Sequence, residues 1–350
     1  MKVLMIKTSS MGDVIHTLPA LTDAASMIPG ISFDWVVEET FAEIPGWHPA
    51  VDKIIPVAIR RWRKSLLNTV TSGEWQRFKE RLQSRQYDAV IDAQGLFKSA
   101  LLTRLSKGPS FGLDKLSARE PFSARFYQHP QRVCWNQHAV ERVRQLVALS
   151  LGYEVPEQPG QFQLDKTRFE GDSQQNTPYI VFIHGTTWPE KHWPESYWCQ
   201  LAGLVNDAGY KVLLPWGNTA EKERAERIAQ CSPKTEVLPK SSLSGLAGTI
   251  TGASGVVAVD TGLGHLTAAL EKPAVSLYGP TSPERVGAYG ANQVHLELDQ
   301  CPPGDFPSGD ADSFAPMTPQ LVWEALKKIL VHGTTHKVNG PTAPETVHGA

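Results

Sequence analysis

At 350 residues the chain is long for one domain, and with 41% hydrophobic residues it can bury two cores of ordinary size. Its formal charge of −2 conceals an asymmetry: residues 1–150 carry 20 Lys+Arg against 14 Asp+Glu (+6), and residues 151–350 carry 14 against 22 (−8). This balance excludes a general nucleic-acid binder but leaves a basic half able to face an acidic substrate or a membrane surface.

In chain order, Lys2 to Lys7 reads as an apolar strand through Val3, Leu4, Met5 and Ile6, Thr8 to Asp13 as a polar turn, and Val14 onward as a helix. Strands are expected next at Phe33 to Glu38, Lys53 to Val57 and Tyr87 to Asp92, with helices near Trp75 to Ser84, Leu96 to Ser106 and Ala139 to Ser150. The polar stretch Gln158 to Pro178 is the best linker. Beyond it, strands are expected at Tyr179 to His184, Lys211 to Pro215, Val256 to Asp260 and Ala274 to Tyr278. Helices are expected at Glu195 to Asp207, Thr219 to Ala229, Leu243 to Thr251 and Leu263 to Leu270. Gln300 to Pro319 reads as a loop, Leu321 to Leu330 as a closing helix, and residues 332–350 as a disordered tail. Strand and helix alternate throughout, which predicts an α/β protein: an N-terminal Rossmann-like domain over 1–165 and a second over 175–331, each with a parallel sheet.

No apolar run approaches the length of a membrane span, and Met1 to Lys7 is too short for a signal peptide, so a soluble or peripheral protein is expected. Cys134, Cys199, Cys231 and Cys301 lie far apart with no C-x-x-C pair, which predicts neither a zinc site nor a disulfide framework and suits a reducing cytoplasm.

In such sheets ligands gather beyond the carboxyl ends of the strands, so four turns are candidates: Thr8 to Asp13, His184 to His192, Trp216 to Glu223 and Asp260 to His265. At the last, Thr261 can cap the following helix, Gly262 admits a ligand to the backbone, and the helix start favours an anion such as a diphosphate. The turn His184 to His192 combines hydroxyls, Lys191 and two histidines, which is how a protein could hold a diphosphate without metal. Lys191 is the natural leaving-group stabiliser, against the plainer alternative of a solvated loop lysine. There is no G-x-x-x-x-G-K-[ST] and no G-x-G-x-x-G, which argues against P-loop and NAD chemistry. Asp310-Ala311-Asp312 is formally a D-x-D, but in a Pro/Gly loop it reads as exposed turn residues.

Long motifs then carry a resemblance. Lys7-Thr8-Ser9-Ser10-Met11-Gly12-Asp13-Val14, Thr17 to Asp23, Phe33 to Glu39, Arg60-Arg61-Trp62-Arg63-Lys64, Asp92-Ala93-Gln94-Gly95, Lys191-His192-Trp193-Pro194 and Asp260-Thr261-Gly262 with His265, in this order, closely resemble the lipopolysaccharide heptosyltransferase I enzymes of glycosyltransferase family 9 over roughly residues 1–300. The resemblance implies a GT-B fold, two facing Rossmann-like domains with a cleft between them. It further implies transfer of L-glycero-D-manno-heptose from ADP-heptose, with inversion, to the inner Kdo of Kdo2-lipid A. The setting it implies is peripheral, on the cytoplasmic face of the inner membrane, with no metal and no other cofactor.

Carried onto this chain, the resemblance makes Asp13 the general base, where sequence alone leaves a helix N-cap equally open. It assigns Thr186, Thr187 and Lys191 to the diphosphate, Glu221 to the ribose, and Thr261, Gly262 and His265 to the helix-start anion site. Asp260 would touch the heptose or order its loop. Ser10, Arg60, Arg61, Arg63, Lys64 and Arg119 are the acceptor candidates, with Trp62 among the cations suited to a membrane surface. Ser241 departs from the family, which has a methionine near the adenine. The alternatives are a later-acting heptosyltransferase or related nucleotide-sugar transferase, or a sugar-nucleotide binding module without catalysis.

Overall fold

The protein is described by a computed structural model over residues 1–65, 69, 71–169, 177–301 and 314–335, the last five as backbone only. Apolar runs bounded by polar turns become short strands buried on both faces, as parallel sheets covered by helices require. The first half contains β1 (Lys2–Ile6), α1 (Met11–Ile15), α2 (Leu18–Met27), β2 (Ser32–Glu38), β3 (Val51–Val57), α3 (Ile59–Trp62), α4 (Glu74–Leu82), β4 (Ala89–Asp92), α5 (Phe97–Leu105), β5 (Ser110–Leu113), β6 (His129–Gln131) and α6 (Ala139–Leu151). The second contains β7 (Tyr179–Ile183), α7 (Glu195–Asp207), β8 (Lys211–Leu214), α8 (Thr219–Ala229), β9 (Thr235–Val237), α9 (Leu243–Gly252), β10 (Gly255–Val259), α10 (Gly262–Ala269), β11 (Ala274–Tyr278), α11 (Pro283–Val286), β12 (Gln293–Glu297) and α12 (Pro319–Thr335).

The strands form two six-stranded sheets, β3-β2-β1-β4-β5-β6 and β12-β11-β10-β7-β8-β9, with every pairing parallel. Counted from its own first strand, each sheet has the doubly wound order 3-2-1-4-5-6, so the chain reverses direction between β1 and β4 and again between β7 and β10. This is the duplicated α/β architecture of a GT-B enzyme. Side-chain alternation divides each sheet between two cores. Val3 and Met5 of β1, with Val256 and Ala258 of β10, enter one cluster that runs through both halves. Leu4 and Ile6 face a second beside Trp62, Phe78 and Leu82, while Val257 and Val259 face a third beside Trp193, Trp198 and Leu326.

Several sequence expectations are corrected. The first helix starts at Met11, not Val14, because Ser10 takes the N-cap and Asp13 bonds back to it. Strands β5, β6, β9 and β12 were not expected, since their three to five residues are too few to show a period. Cys199 and Cys231 are joined in a disulfide, with Cα atoms 5.4 Å apart. Packing of α7 on α8 brings them together, whereas their 32-residue separation carries no motif. Part of the polar linker is buried, with Phe162 and Phe169 entering the core. The last helix reaches Thr335, five residues past its expected end. Residues 170–176, Asp310-Ala311-Asp312 and the remaining tail 336–350 lie outside the described residues. Among the described residues no helix is long and apolar enough to cross a membrane.

One buried ion pair ties the linker to the first half. Arg144 on α6 donates to Asp23 on α2 (Nε to Oδ2, 2.6 Å) and to the carbonyls of Pro156 and Gln158 (3.0 and 2.8 Å). Both charged side chains are under one-tenth exposed. Asp23→Ala leaves the guanidinium only Glu141 and the two carbonyls, so it should cost about 3 kcal/mol of stability in urea unfolding.

Candidate active site

At the switch point of the first sheet, the turns after β1 and β4 interlock. Asp92, fully buried at the end of β4, accepts from the N–H groups of Gln94 and Gly95 and from the Tyr127 hydroxyl (2.8 Å). The turn it fixes aims Gln94 Oε1 at the N–H groups of Thr8 and Ser9, 3.0 and 3.1 Å away. Asp92 is therefore a turn support. Ser10 then donates to Asp13 Oδ2 through its N–H (2.7 Å) and its hydroxyl (3.0 Å). Asp13 Oδ1 lies 3.6 Å from Lys7 Nζ, which also donates to the Ala93 carbonyl. Crowding by protein atoms pushes the Asp13 carboxyl up, but the Lys7 ammonium and the two Ser10 bonds outweigh it and leave it below the ordinary carboxylate value. Its side chain stays 38% exposed. The result is an ionised carboxylate with one oxygen committed to the fold and the other reachable.

At the second switch point, after β7 and β10, Lys191 Nζ pairs with Asp260 Oδ2 (2.5 Å), which also accepts from Thr281 Oγ1 (2.8 Å). Thr186 donates to the Asp260 carbonyl, and His192 Nε2 meets the Thr186 carbonyl at 3.1 Å. Asp260 thus orders the loop and positions Lys191. Thr187 is exposed. Glu221 accepts from Gly217 N–H and Asn218 Nδ2, and its carboxylate presses on Gly185. Thr261 occupies the N-cap of α10, but its side chain makes no capping bond, contrary to expectation.

The two switch points touch through their helix starts. A Cβ on Gly12 would lie 2.5 Å from His265 Cδ2, and one on Gly262 would lie 2.6 Å from Met11 Sδ, so both positions need glycine for the crossing of α1 with α10. His265 is consequently buried against Gly12 and His16 (ring centroids 4.6 Å) rather than open at an anion site. Burial drives its pKa down to about 4 against the opposing pull of Asp260 and Asp13, so it is neutral at pH 7.

Beside Asp13 opens a cavity of about 490 Å³ whose lining includes Lys7, Gln94, Arg119, Arg142, Thr281 and Arg285. Arg142 and Arg285 flank Trp135, with guanidinium carbons 4.2 and 4.6 Å from its ring centroid. The first-half loops supply Trp135 and the second half supplies Arg285. Sequence reasoning missed Lys7, Gln94, Trp135, Arg142 and Arg285. Lys7 read as the last residue of a strand, and the other four join the site only through tertiary packing. Of the expected acceptor residues, Arg119 lines this cavity and Ser10 is exposed beside Asp13. Arg61 instead forms paired hydrogen bonds with Glu39 and with Glu74 at 2.6 to 3.0 Å. The Arg60 N–H donates to Glu38, and its guanidinium stands 5.4 Å from the Phe41 ring. Arg63 and Lys64 are exposed. Among the described residues no group of three or more His, Cys, Asp or Glu side chains is arranged to hold a metal ion.

Residues 75–306 match glycosyltransferase family 9 (heptosyltransferase). The chain belongs to this family. The family 9 enzyme is 59% identical to lipopolysaccharide heptosyltransferase 1 of Pseudomonas aeruginosa, over 85% of this chain and 84% of that one. It is 53% identical to lipopolysaccharide heptosyltransferase 1 of Escherichia coli K12, over 84% and 92%. Among solved structures it superposes on E. coli heptosyltransferase WaaC with ADP at a TM-score of 0.87 and 49% identity, covering 94% of this chain and 100% of that one. WaaC with ADP-2-deoxy-2-fluoro heptose gives 0.84 at 48% identity, covering 94% and 99%.

In this glycosyltransferase Lys7 is, with the two Ser10 bonds, among the groups that lower the Asp13 pKa. Lys7→Met removes the ammonium that holds the Asp13 pKa down, so the acid limb of the kcat–pH profile should move to higher pH. An unmoved limb, in a variant that still binds ADP, would show that the limb does not report an Asp13 carboxylate held down by Lys7.

Proposed function

We propose that the enzyme transfers L-glycero-D-manno-heptose from ADP-heptose to the inner Kdo of Kdo2-lipid A, with inversion, in lipopolysaccharide inner-core assembly. Identities of 52–59% to four heptosyltransferase 1 relatives, beside 26% to the heptosyltransferase 1 of Campylobacter coli and 23–25% to heptosyltransferase 2 relatives, support the first-heptose reaction over a later one. Relatives solved with ADP and with a fluorinated ADP-heptose support the donor. We place acceptor binding in a first domain, residues 1–165, and donor binding in a second, residues 175–331, with the enzyme peripheral on the cytoplasmic face of the inner membrane.

One observation carries the reading. Asp13, with one oxygen bound by Ser10 and the other 3.6 Å from Lys7, lines the basic cavity, and Thr281, hydrogen-bonded to the Lys191–Asp260 pair, is in the wall of the same cavity. An acidic sugar fits among Lys7, Arg119, Arg142 and Arg285, which can pair with its carboxylate. Its hydroxyl attacks the heptose C1, Asp13 takes the proton, and the C1–oxygen bond to ADP breaks with its electron pair going to the β-phosphate oxygen. Lys191, Thr186 and Thr187 meet that growing charge, the work a cation does at a diphosphate, so no metal is required. Inversion follows from a single displacement between a base on one side and a stabilised leaving group on the other. Glu221, in the first turn of α8, is assigned to the ribose. On the acceptor side we keep Ser10, Arg60, Arg63, Lys64 and Arg119, and assign Arg61 to holding Glu39 and Glu74.

Asp13→Asn should keep ADP affinity and lose about 10²–10⁴ in kcat, whereas Lys191→Ala should weaken ADP binding as well as slow transfer. Turnover should survive EDTA. Steady-state kinetics beside ADP calorimetry decides it: near-normal kcat in Asp13→Asn, or activity lost to chelation and restored by Mg²⁺, contradicts the mechanism.

A further inference from the structure

Trp62 cannot be the membrane contact expected from the sequence. It is 7% exposed, edge-on to Trp75 and Phe78 with ring centroids 5.8 and 5.5 Å apart. A cluster of exposed apolar side chains lies on α5 and the segment after β5. Phe97, Leu101 and Phe122 are 43%, 40% and 52% exposed. Phe97, Phe122 and Phe126 are in mutual ring contact, at 6.0, 5.5 and 5.8 Å. Single exposed apolar residues are ordinary, but a contiguous aromatic patch marks an interaction surface.

Its surroundings are basic. The Arg125 guanidinium lies 5.0 Å from the Phe122 ring centroid. On the other side of Leu101, Lys98, Arg104 and Arg63 border an apolar groove that includes Leu101, Leu102 and Trp75. The neighbouring acid, Glu120, is engaged by the Phe97 N–H at 2.6 Å. Apolar side chains bordered by long cations match a bilayer bearing anionic headgroups: rings and Leu101 enter the acyl boundary while Lys and Arg tips stay at headgroup level.

The patch also adjoins the active site along the chain. Gln94 and Arg119 line the cavity beside Asp13, and Phe97 and Phe122 follow each of them by three residues. Three residues span at most about 11 Å. A glycolipid sugar could therefore occupy the cavity while its acyl chains remain in a bilayer held against α5.

We propose that Phe97, Leu101 and Phe122, with Lys98, Arg104 and Arg125, form the surface that docks this enzyme on an anionic bilayer. The proposal deepens the peripheral reading above by naming the face that meets lipid.

The test is flotation of the full chain with vesicles of phosphatidylcholine, with and without phosphatidylglycerol, and with no sugar substrate present. The parent should bind better when phosphatidylglycerol is present. Phe97→Ser/Leu101→Ser/Phe122→Ser should lower partitioning about ten-fold or more, and Lys98→Gln/Arg104→Gln should remove much of the phosphatidylglycerol and salt dependence. Both variants should keep ADP affinity and transfer to a deacylated, water-soluble acceptor, while losing transfer to vesicle-embedded acceptor. A triple variant that binds ADP normally and partitions like the parent overturns the proposal, and would leave the patch to a protein partner. Should the triple variant lose ADP binding, Leu101→Ser and Phe122→Ser tested singly decide it by the same criterion. Vesicle binding is read without chemistry, so failure of the parent on the deacylated acceptor would count against the transferase reading alone.

Discussion

The Asp13 carboxylate is held from two sides. Ser10 binds one oxygen twice, and the Lys7 ammonium faces the other at 3.6 Å. Crowding by protein atoms pushes the carboxyl up, and these partners outweigh it and leave it below the ordinary carboxylate value. Much of the first sheet serves this arrangement. Asp92 and Tyr127 shape the turn, Gln94 carries that shape to the Thr8 and Ser9 amides, and β1 delivers Lys7 from a register fixed by β2 and β4.

The second constraint is the close crossing of α1 on α10. Gly12 admits the His265 ring and Gly262 admits Met11, so α1 and α10 cross with these two side chains seated against glycine backbone. This contact brings the loop that carries Asp13 beside the loop that carries Asp260. The neutral pair His16 and His265 fills the crossing with rings that bring no charge next to Asp13 at pH 7. Trp135, in contact with Arg142 and Arg285, provides a second bridge between the halves, in the wall of the cavity beside Asp13.

Legibility in the sequence followed the range of the interactions. Strand-turn-helix patterns at Thr8 to Asp13, His184 to His192 and Asp260 to His265 are local, and the structure puts all three turns at the two switch points. Central strands and amphipathic helices were readable for the same reason, with α7 and α8 matching their expected bounds. Edge strands such as His129–Gln131 and Thr235–Val237 were too short to show a period. Long-range pairings were invisible: Cys199 with Cys231, Arg61 with Glu39 and Glu74, and Arg285 against Trp135. Trp62 misled because its cationic neighbours suggested a surface, whereas its ring faces Trp75 and Phe78. Thr261 has the residue type and position of a cap, but its side chain makes no capping bond.

In the proposed reaction a base and a leaving-group cation at the two switch points transfer one heptose to an acidic sugar by a single displacement. Mass spectrometry and NMR of Kdo2-lipid A incubated with the enzyme and ADP-heptose test it most directly. The product should gain one heptosyl residue, on the inner Kdo, with anomeric configuration opposite to that of the donor. Retained configuration, or transfer only to an acceptor that already carries heptose, would contradict it.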